Sequence, residues 1–188
     1  RDAYWGAKMV MSFSDEDLRA IVETGRIGNP EAEARLLDVL RKRRDKIGRY
    51  WFEKVNPLDR FSVEVATASA PAEGTSPVEE EAPVLQFDDL AVTSGLETAG
   101  ARQYTYQMSL DGEEIGAERT TERSRLPLVV DGTSLASVLD ARSRSSGHQR
   151  VTRIDLWTLE DGGTSPRTEV YVHVPSDGVP RVVGIQRQ

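Results

Sequence analysis

The sequence predicts an α+β chain in three parts: a helical N-terminal segment of about three helices at 1–61, a Pro/Glu-rich linker at 62–83, and an antiparallel β-sandwich of the immunoglobulin-like or fibronectin-like kind at 84–188. Three observations predict it. Up to about residue 55, apolar residues recur at helical spacing between helix-start signals. At 66–83, small residues, prolines and glutamates take their place. From Val84 the period changes to two.

Residues 2–13 read as a short helix because Trp5, Met9 and Phe13 form one stripe at i, i+4, i+8. Ser14 then caps a second helix. Asp15, Glu16 and Asp17 favour its positive dipole end, and Leu18, Ile21 and Val22 form its apolar face. Gly25 is placed to follow it as the C′ residue. Asn29-Pro30 opens a third helix, and Asn56-Pro57 ends it near Val55. Its stripe is Leu36, Val39/Leu40, Ile47, Trp51 and Val55. So few apolar residues in about 60 predict helices that lean on another part of the protein.

In the stretch 66–83, prolines and the run Glu79-Glu80-Glu81 read as a mobile linker. Beyond it, Val84–Phe87 and Gln103–Leu110 read as strands; in the second, Tyr104, Tyr106, Met108 and Leu110 point one way. Asp111-Gly112 is a turn, and a second long strand is expected through Ile115–Leu128. Val151–Leu159 ends at Asp161-Gly162-Gly163. Thr168–Val174 and Arg181–Gln186 read as a hairpin around Pro175-Ser176-Asp177-Gly178. The segment 134–142 reads equally as a helix or a strand.

The chain has no cysteine and two histidines, His148 and His173, 25 positions apart. Thiol nucleophiles and His-based metal or proton-shuttle sets therefore cannot be assembled in the usual ways. No segment has the alternating acids and central glycine of a calcium loop, and no Gly-x-Ser-x-Gly elbow occurs. Asp15, Glu16 and Asp17 are better explained by helix capping than by a metal; Asp88 and Asp89 form the other acidic pair. No catalytic residue, cofactor or metal is assigned, and no apolar run approaches a membrane span.

Net charge is −7, unevenly spread: +2 over 1–61, −5 over 62–83 and −4 over 84–188. The densest base run is Arg41-Lys42-Arg43-Arg44, followed by Lys46, Arg49 and Lys54. Arg41, Lys42, Arg44, Lys46 and Arg49 are the candidate docking face; the competing reading is a solvated helix face paired with Glu31, Glu33 and Asp38. A second candidate is the strip Glu169, Tyr171 and His173, left on one face of a strand whose Val170, Val172 and Val174 face the core. The bland alternative is the polar face of an antiparallel sheet. His148, in a loop, is read as non-catalytic.

The stretches 2–8, 13–22 and 43–51, with the ending Arg181-Val182-Val183-Gly184-Ile185, resemble the C-terminal region of large, uncharacterised bacterial proteins. The resemblance implies no activity and no catalytic residue. It and the initial Arg1 together imply a piece of a longer protein. The expected function is thus a non-catalytic interaction or scaffolding region that binds a protein partner or upstream domains of the same chain. Nucleic acid is not expected, and a protein is favoured over an anionic lipid surface. Envelope, periplasm and cytoplasm all remain open as compartments. The competing class is a carboxylate-based hydrolase.

Overall fold

The computed structural model describes residues 2–65, 77–146, 150–160, 163–176 and 179–188. His148, the core of the expected linker and parts of two expected turns, Asp161-Gly162 and Asp177-Gly178, lie outside them. The chain is α+β: helices dominate its first part and antiparallel sheets the rest.

Helices α2 (Asp15–Thr24) and α3 (Pro30–Lys54) form where their start signals place them, and α1 (Asp2–Met11) stops short of Phe13, the last residue of the expected stripe. Ser14 caps α2 in a reciprocal box: its hydroxyl accepts from Asp17 N at 3.0 Å, and Asp17 accepts from Ser14 N at 2.8 Å. Asn29 Oδ1 accepts from Glu31 N and Ala32 N, with Pro30 at the first helical position. The end of α2 differs from expectation. Gly25 stays right-handed at φ −70°, and Arg26 takes the left-handed conformation at φ 44°.

Strand β1 (Leu58–Glu64) runs across the boundary drawn at residue 61 and into the expected linker. It was unreadable as a strand because only Leu58, Phe61 and Val63 mark it among charged residues. A short helix α4 (Pro77–Glu81) follows, where the run of glutamates argued against packing. Its Glu79 accepts from Arg119 at 2.8 Å, and Ala82 just beyond it is buried. Next come β2 (Val84–Asp89), α5 (Leu90–Thr93), a 3₁₀ turn at Ala99–Ala101, β3 (Gln103–Leu110) and β4 (Glu113–Thr121).

The expected strand Ile115–Leu128 is broken. Residues after β4 leave the sheet and form β5 (Arg125–Pro127), which pairs with β2 instead. Two short strands, β6 (Val129–Val130) and β7 (Thr133–Ser134), lead into α6 (Leu135–Ser146), so the ambiguous segment is a helix after a two-residue strand. The chain ends with β8 (Val151–Glu160), β9 (Gly163–Thr164), β10 (Thr168–His173) and β11 (Arg181–Arg187).

The strands form a three-stranded sheet, β1-β2-β5, and a six-stranded sheet ordered β11-β10-β8-β3-β4 with β9 on β8. All the pairings are antiparallel. Among the described residues no sheet closes into a barrel, and an immunoglobulin-like sandwich is not confirmed. One core joins the sheets: Leu58, Leu85 and Phe87 from the small sheet meet Tyr104, Met108, Ile154, Leu156, Val170 and Val172 from the large one, with Leu135 and Leu139 of α6. The helices contribute a second, smaller cluster, Tyr4, Met11 and Phe52, which leans on Ala91 and Leu96. Gly48 permits that approach: a Cβ there would lie 2.4 Å from Met11 Sδ and 2.8 Å from Leu96 Cδ1. Among the described residues no helix is long and apolar enough to cross a membrane.

Asn56, buried at the helix–strand junction, accepts from Thr158 Oγ1 at 3.0 Å and donates to Leu156 O at 3.4 Å, so the end of α3 is keyed to the middle of β8. The β part therefore depends on residues before Val84. Leu58, Phe61 and Val63 each bury apolar area on the shared core. At about 1.5–3 kcal/mol for a fully buried side chain, losing them removes much of a stability of about 5–15 kcal/mol. A fragment of residues 56–188 is expected to melt cooperatively. A fragment of 84–188 is expected to bind hydrophobic dye and melt without a cooperative transition. Calorimetry and dye fluorescence on the two fragments check this.

Candidate functional site

The helical segment carries most of the exposed large hydrophobic residues among those described. Of the 13 large hydrophobic residues exposed in the described structure, eight fall between Trp5 and Tyr50. A thin amphipathic segment explains this. α3 has 25 residues, yet only Gly48 and Phe52 are buried, and Leu36, Ile47 and Tyr50 are exposed.

A groove of about 470 Å³ runs between α1, α5 and the start of β1. Its floor is Met11 and Phe52; Trp5, 63% exposed, and Met9, 56% exposed, stand at its wall. They share the α1 face read from the i, i+4 stripe. At one end Asp59 forms an ion pair with Lys8 and another with Arg187 at 2.9 Å. The Arg187 guanidinium also donates to Leu58 O at 2.8 Å and lies 5.8 Å over the Tyr4 ring. Burial alone would raise the Asp59 carboxyl, but the Lys8 hydrogen bond and the charges of Lys8 and Arg187 outweigh it and hold Asp59 below the usual carboxylate range. Burial pushes Tyr4 up to about 12, with Arg187 opposing. A second cleft of about 500 Å³ lies between α3 and the 3₁₀ turn, walled by Arg49, Phe52, Leu96 and Glu97. Behind it Asp89 accepts from Arg102 Nε at 2.9 Å and from the Tyr104 hydroxyl at 3.0 Å.

The candidate docking bases separate into two sets. Arg41 and Arg44 turn inward and clamp Asp15 of α2 at 3.0 and 2.9 Å, and Arg44 also donates to Phe13 O. Lys42 pairs with Asp38 one turn back, and Arg49 reaches Glu97 at 3.7 Å. Lys46, and with it Arg43 and Lys54, has no ion-pair or hydrogen-bond partner among the described residues. A run of bases is spread round a helix at 100° per residue, so Arg41 and Arg44 brace the fold, Lys42 and Arg49 hold surface pairs, and Lys46 alone of the five candidates is unpaired among the described residues.

The strip Glu169, Tyr171 and His173 lies on the outer face of the large sheet, opposite the buried Val170, Val172 and Val174. It is not a free row. Glu169 is itself buried, accepting from Arg167 at 2.7 Å, the Tyr171 hydroxyl at 2.9 Å and Gln188 at 3.1 Å. Asp155, its cross-strand neighbour on β8, lies 3.1 Å from Arg153 and 3.7 Å from Arg167. Burial raises the Asp155 carboxyl, and Glu169 adds to this while Arg153 and Arg167 oppose. His173 stands at the strand end opposite Arg181 and Val151. The structure thus brings Glu169 together with Asp155, Arg153 and Arg167, which sequence reasoning missed. The alternation Arg153, Asp155, Trp157 was there to read, but the register that sets it beside β10 was not.

Four of the five acids weighed as metal ligands are otherwise engaged, Asp15 by Arg41 and Arg44, Asp17 by Ser14, Asp88 by Arg60 and Asp89 by Arg102, and Glu16 is exposed on the first turn of α2. Among the described residues no three His, Asp or Glu side chains form a group able to hold a metal ion. No family model matches the chain, and no curated protein or solved structure matches it either.

Two outcomes follow. Asp59→Asn leaves Lys8 and Arg187 without their counter-charge and is expected to cost about 1–3 kcal/mol at neutral pH. Because the folded carboxyl titrates below its ordinary value, this stability is present above the unfolded pKa and is lost as pH falls through the folded one. The gap between wild type and Asp59→Asn in urea unfolding should therefore be wide at pH 7 and close progressively as the pH falls below the ordinary carboxylate range. For α3, reversing Arg41, Lys42 and Arg44 to Glu is expected to lower the melting temperature by several degrees, whereas reversing the outward Arg43 and Lys46 leaves it nearly unchanged. Paired melting curves decide this.

Proposed function

We propose that this chain is a non-catalytic interaction and scaffolding region, the C-terminal part of a larger bacterial protein. In this reading its helical segment binds a protein partner or neighbouring domains of the same polypeptide. The observation that carries it is the concentration of exposed large apolar residues on α1–α3, with aromatic and methionine side chains at the wall of the α1 groove. Aromatics and Met are enriched in the buried centres of protein interfaces, and contiguous exposed apolar surface marks contact sites. For the β part, two antiparallel sheets sharing one core support a sandwich-type support for that surface.

The hydrolase reading draws on Asp155 and Glu169, two carboxylates adjacent across β8 and β10. Glycoside hydrolysis needs a bond or a water between its carboxyls. Here Arg167 contacts both, and both are tied into the sheet face. That geometry favours a structural ion cluster.

A photo-crosslinking residue placed at Trp5, Ile21 or Leu36 is expected to give discrete protein adducts in producing cells, while the same residue at the exposed Glu118 of β4 gives none. Absence of adducts from all three helical positions, with hydrolysis of a glycoside panel that Asp155→Asn abolishes, would reverse the assignment.

A further inference from the structure

The outward face of α3 carries a pattern that its own fold does not use. Leu36, Leu40, Arg43, Ile47, Tyr50 and Lys54 follow one another at spacings of four, three, four, three and four residues. That is the a/d seam of a coiled coil, sustained over roughly five turns. Leu36, Ile47 and Tyr50 on it are exposed, Tyr50 to 55%. The side of α3 that packs inward is a different one, carrying Gly48 and Phe52 toward Met11 and Leu96, and Arg41 and Arg44 toward Asp15.

Charge identifies what the seam fits. The inward bases have counter-ions within the chain. The bases on or beside the seam, Arg43, Lys46 and Lys54, have none among the described residues. We infer that this face of α3 docks an acidic amphipathic helix of a protein partner, with aliphatic residues filling the seam around Leu36, Leu40 and Ile47 and carboxylates meeting Arg43 and Lys46. The inference rests on the interaction reading above and names the partner's chemistry.

Two other occupants fit less well. A second copy of the chain, paired antiparallel over the whole seam, would bring the Arg43 and Lys46 of both copies together near the two-fold axis; parallel pairing would set Arg43 against Arg43. Like charges so placed oppose association. A wide anionic surface, bilayer or duplex, meets the field of a chain whose net charge is −7, whereas one helix lying along the basic strip stays within a Debye length of about 8–10 Å.

The test uses the full chain and two synthetic three-heptad peptides with Leu at a and d, one with Glu and one with Lys at e and g. Fluorescence anisotropy at low and at physiological salt reads the binding. The expected result is salt-sensitive binding of the Glu peptide, at least tenfold tighter than the Lys peptide. The double reversal Arg43→Glu/Lys46→Glu should weaken the Glu peptide at least tenfold and strengthen the Lys peptide, with an unchanged melting curve. Tyr50→Glu, at the most exposed apolar position of the seam, should weaken the Glu peptide as well. If the Glu peptide fails to bind, or binds the double reversal equally, the inference falls. Adducts from Trp5 would in that case leave the broader interaction reading standing. Tighter binding of phosphatidylserine vesicles or of a 20-base-pair duplex through Arg43 and Lys46 overturns it in favour of an anionic surface. Dimerisation in sedimentation, abolished by Ile47→Asp, overturns it in favour of a second copy.

Discussion

Asp59 holds three parts of the protein in one place. It is the second residue of β1, it accepts the ammonium of Lys8 from the first helix, and it takes Arg187 from the last strand. Its neighbour Leu58 is fully buried in the shared core and gives its carbonyl to the same arginine. The chain's two ends are thus tied through a strand that sits between them in sequence. The register of β1 against β2 shifts between Asp59 and Ser62, and within that bulge Arg60 adopts φ 51°. A left-handed non-glycine residue costs roughly 1–2 kcal/mol. A bulge re-aims side chains locally, and here the extra residue puts Leu58 on the same side of β1 as Phe61 and Val63, so that all three pack on the shared core.

That anchoring explains why a helical segment with so little apolar material stays attached. Its own cluster is small and is completed from outside by Ala91 and Leu96. Asn56 adds a second tie, to Leu156 and Thr158 in the middle of the large sheet. The helices are therefore positioned at their C-terminal end and along α1, while the N-terminal half of α3 rests on little more than α2 and the Asp15 clamp. Exposure of Leu36, Ile21 and Ile27 is the direct result of that lever-like support.

The helices were legible because their signals are local: Ser14 with Asp17, Asn29 with Pro30, and Asn56-Pro57 each act within a few residues. The alternation of Gln103–Leu110 was legible for the same reason, and so was the inward set Val170, Val172 and Val174. What was hidden depends on pairing at long range. β1 is a strand because β2 and the core accept it; its own residues barely alternate in hydropathy. The strand expected through Leu128 ends early because residues 122–124 carry the chain across to β2, a choice of partner rather than of propensity. Glu169 was found on the correct face, but its burial follows from Arg167, Tyr171 and Gln188 converging on it, which no single strand can reveal.

The base run of α3 shows the same limit from the other side. Read along the sequence, Arg41-Lys42-Arg43-Arg44 is one patch. Read round the helix, it separates into an inward pair that fixes α2 and an outward base that faces solvent beside Ile47 and Tyr50. Only the second kind has electrostatic free energy left for a partner, because a base already holding a carboxylate must give up that bond before it gains another. The effective charge that α3 offers is therefore smaller than its composition states and is confined to one narrow line. A line of that width, bordered by apolar side chains at coiled-coil spacing, selects for a rod-shaped, acidic and amphipathic ligand, which is a stricter demand than positive charge alone would make.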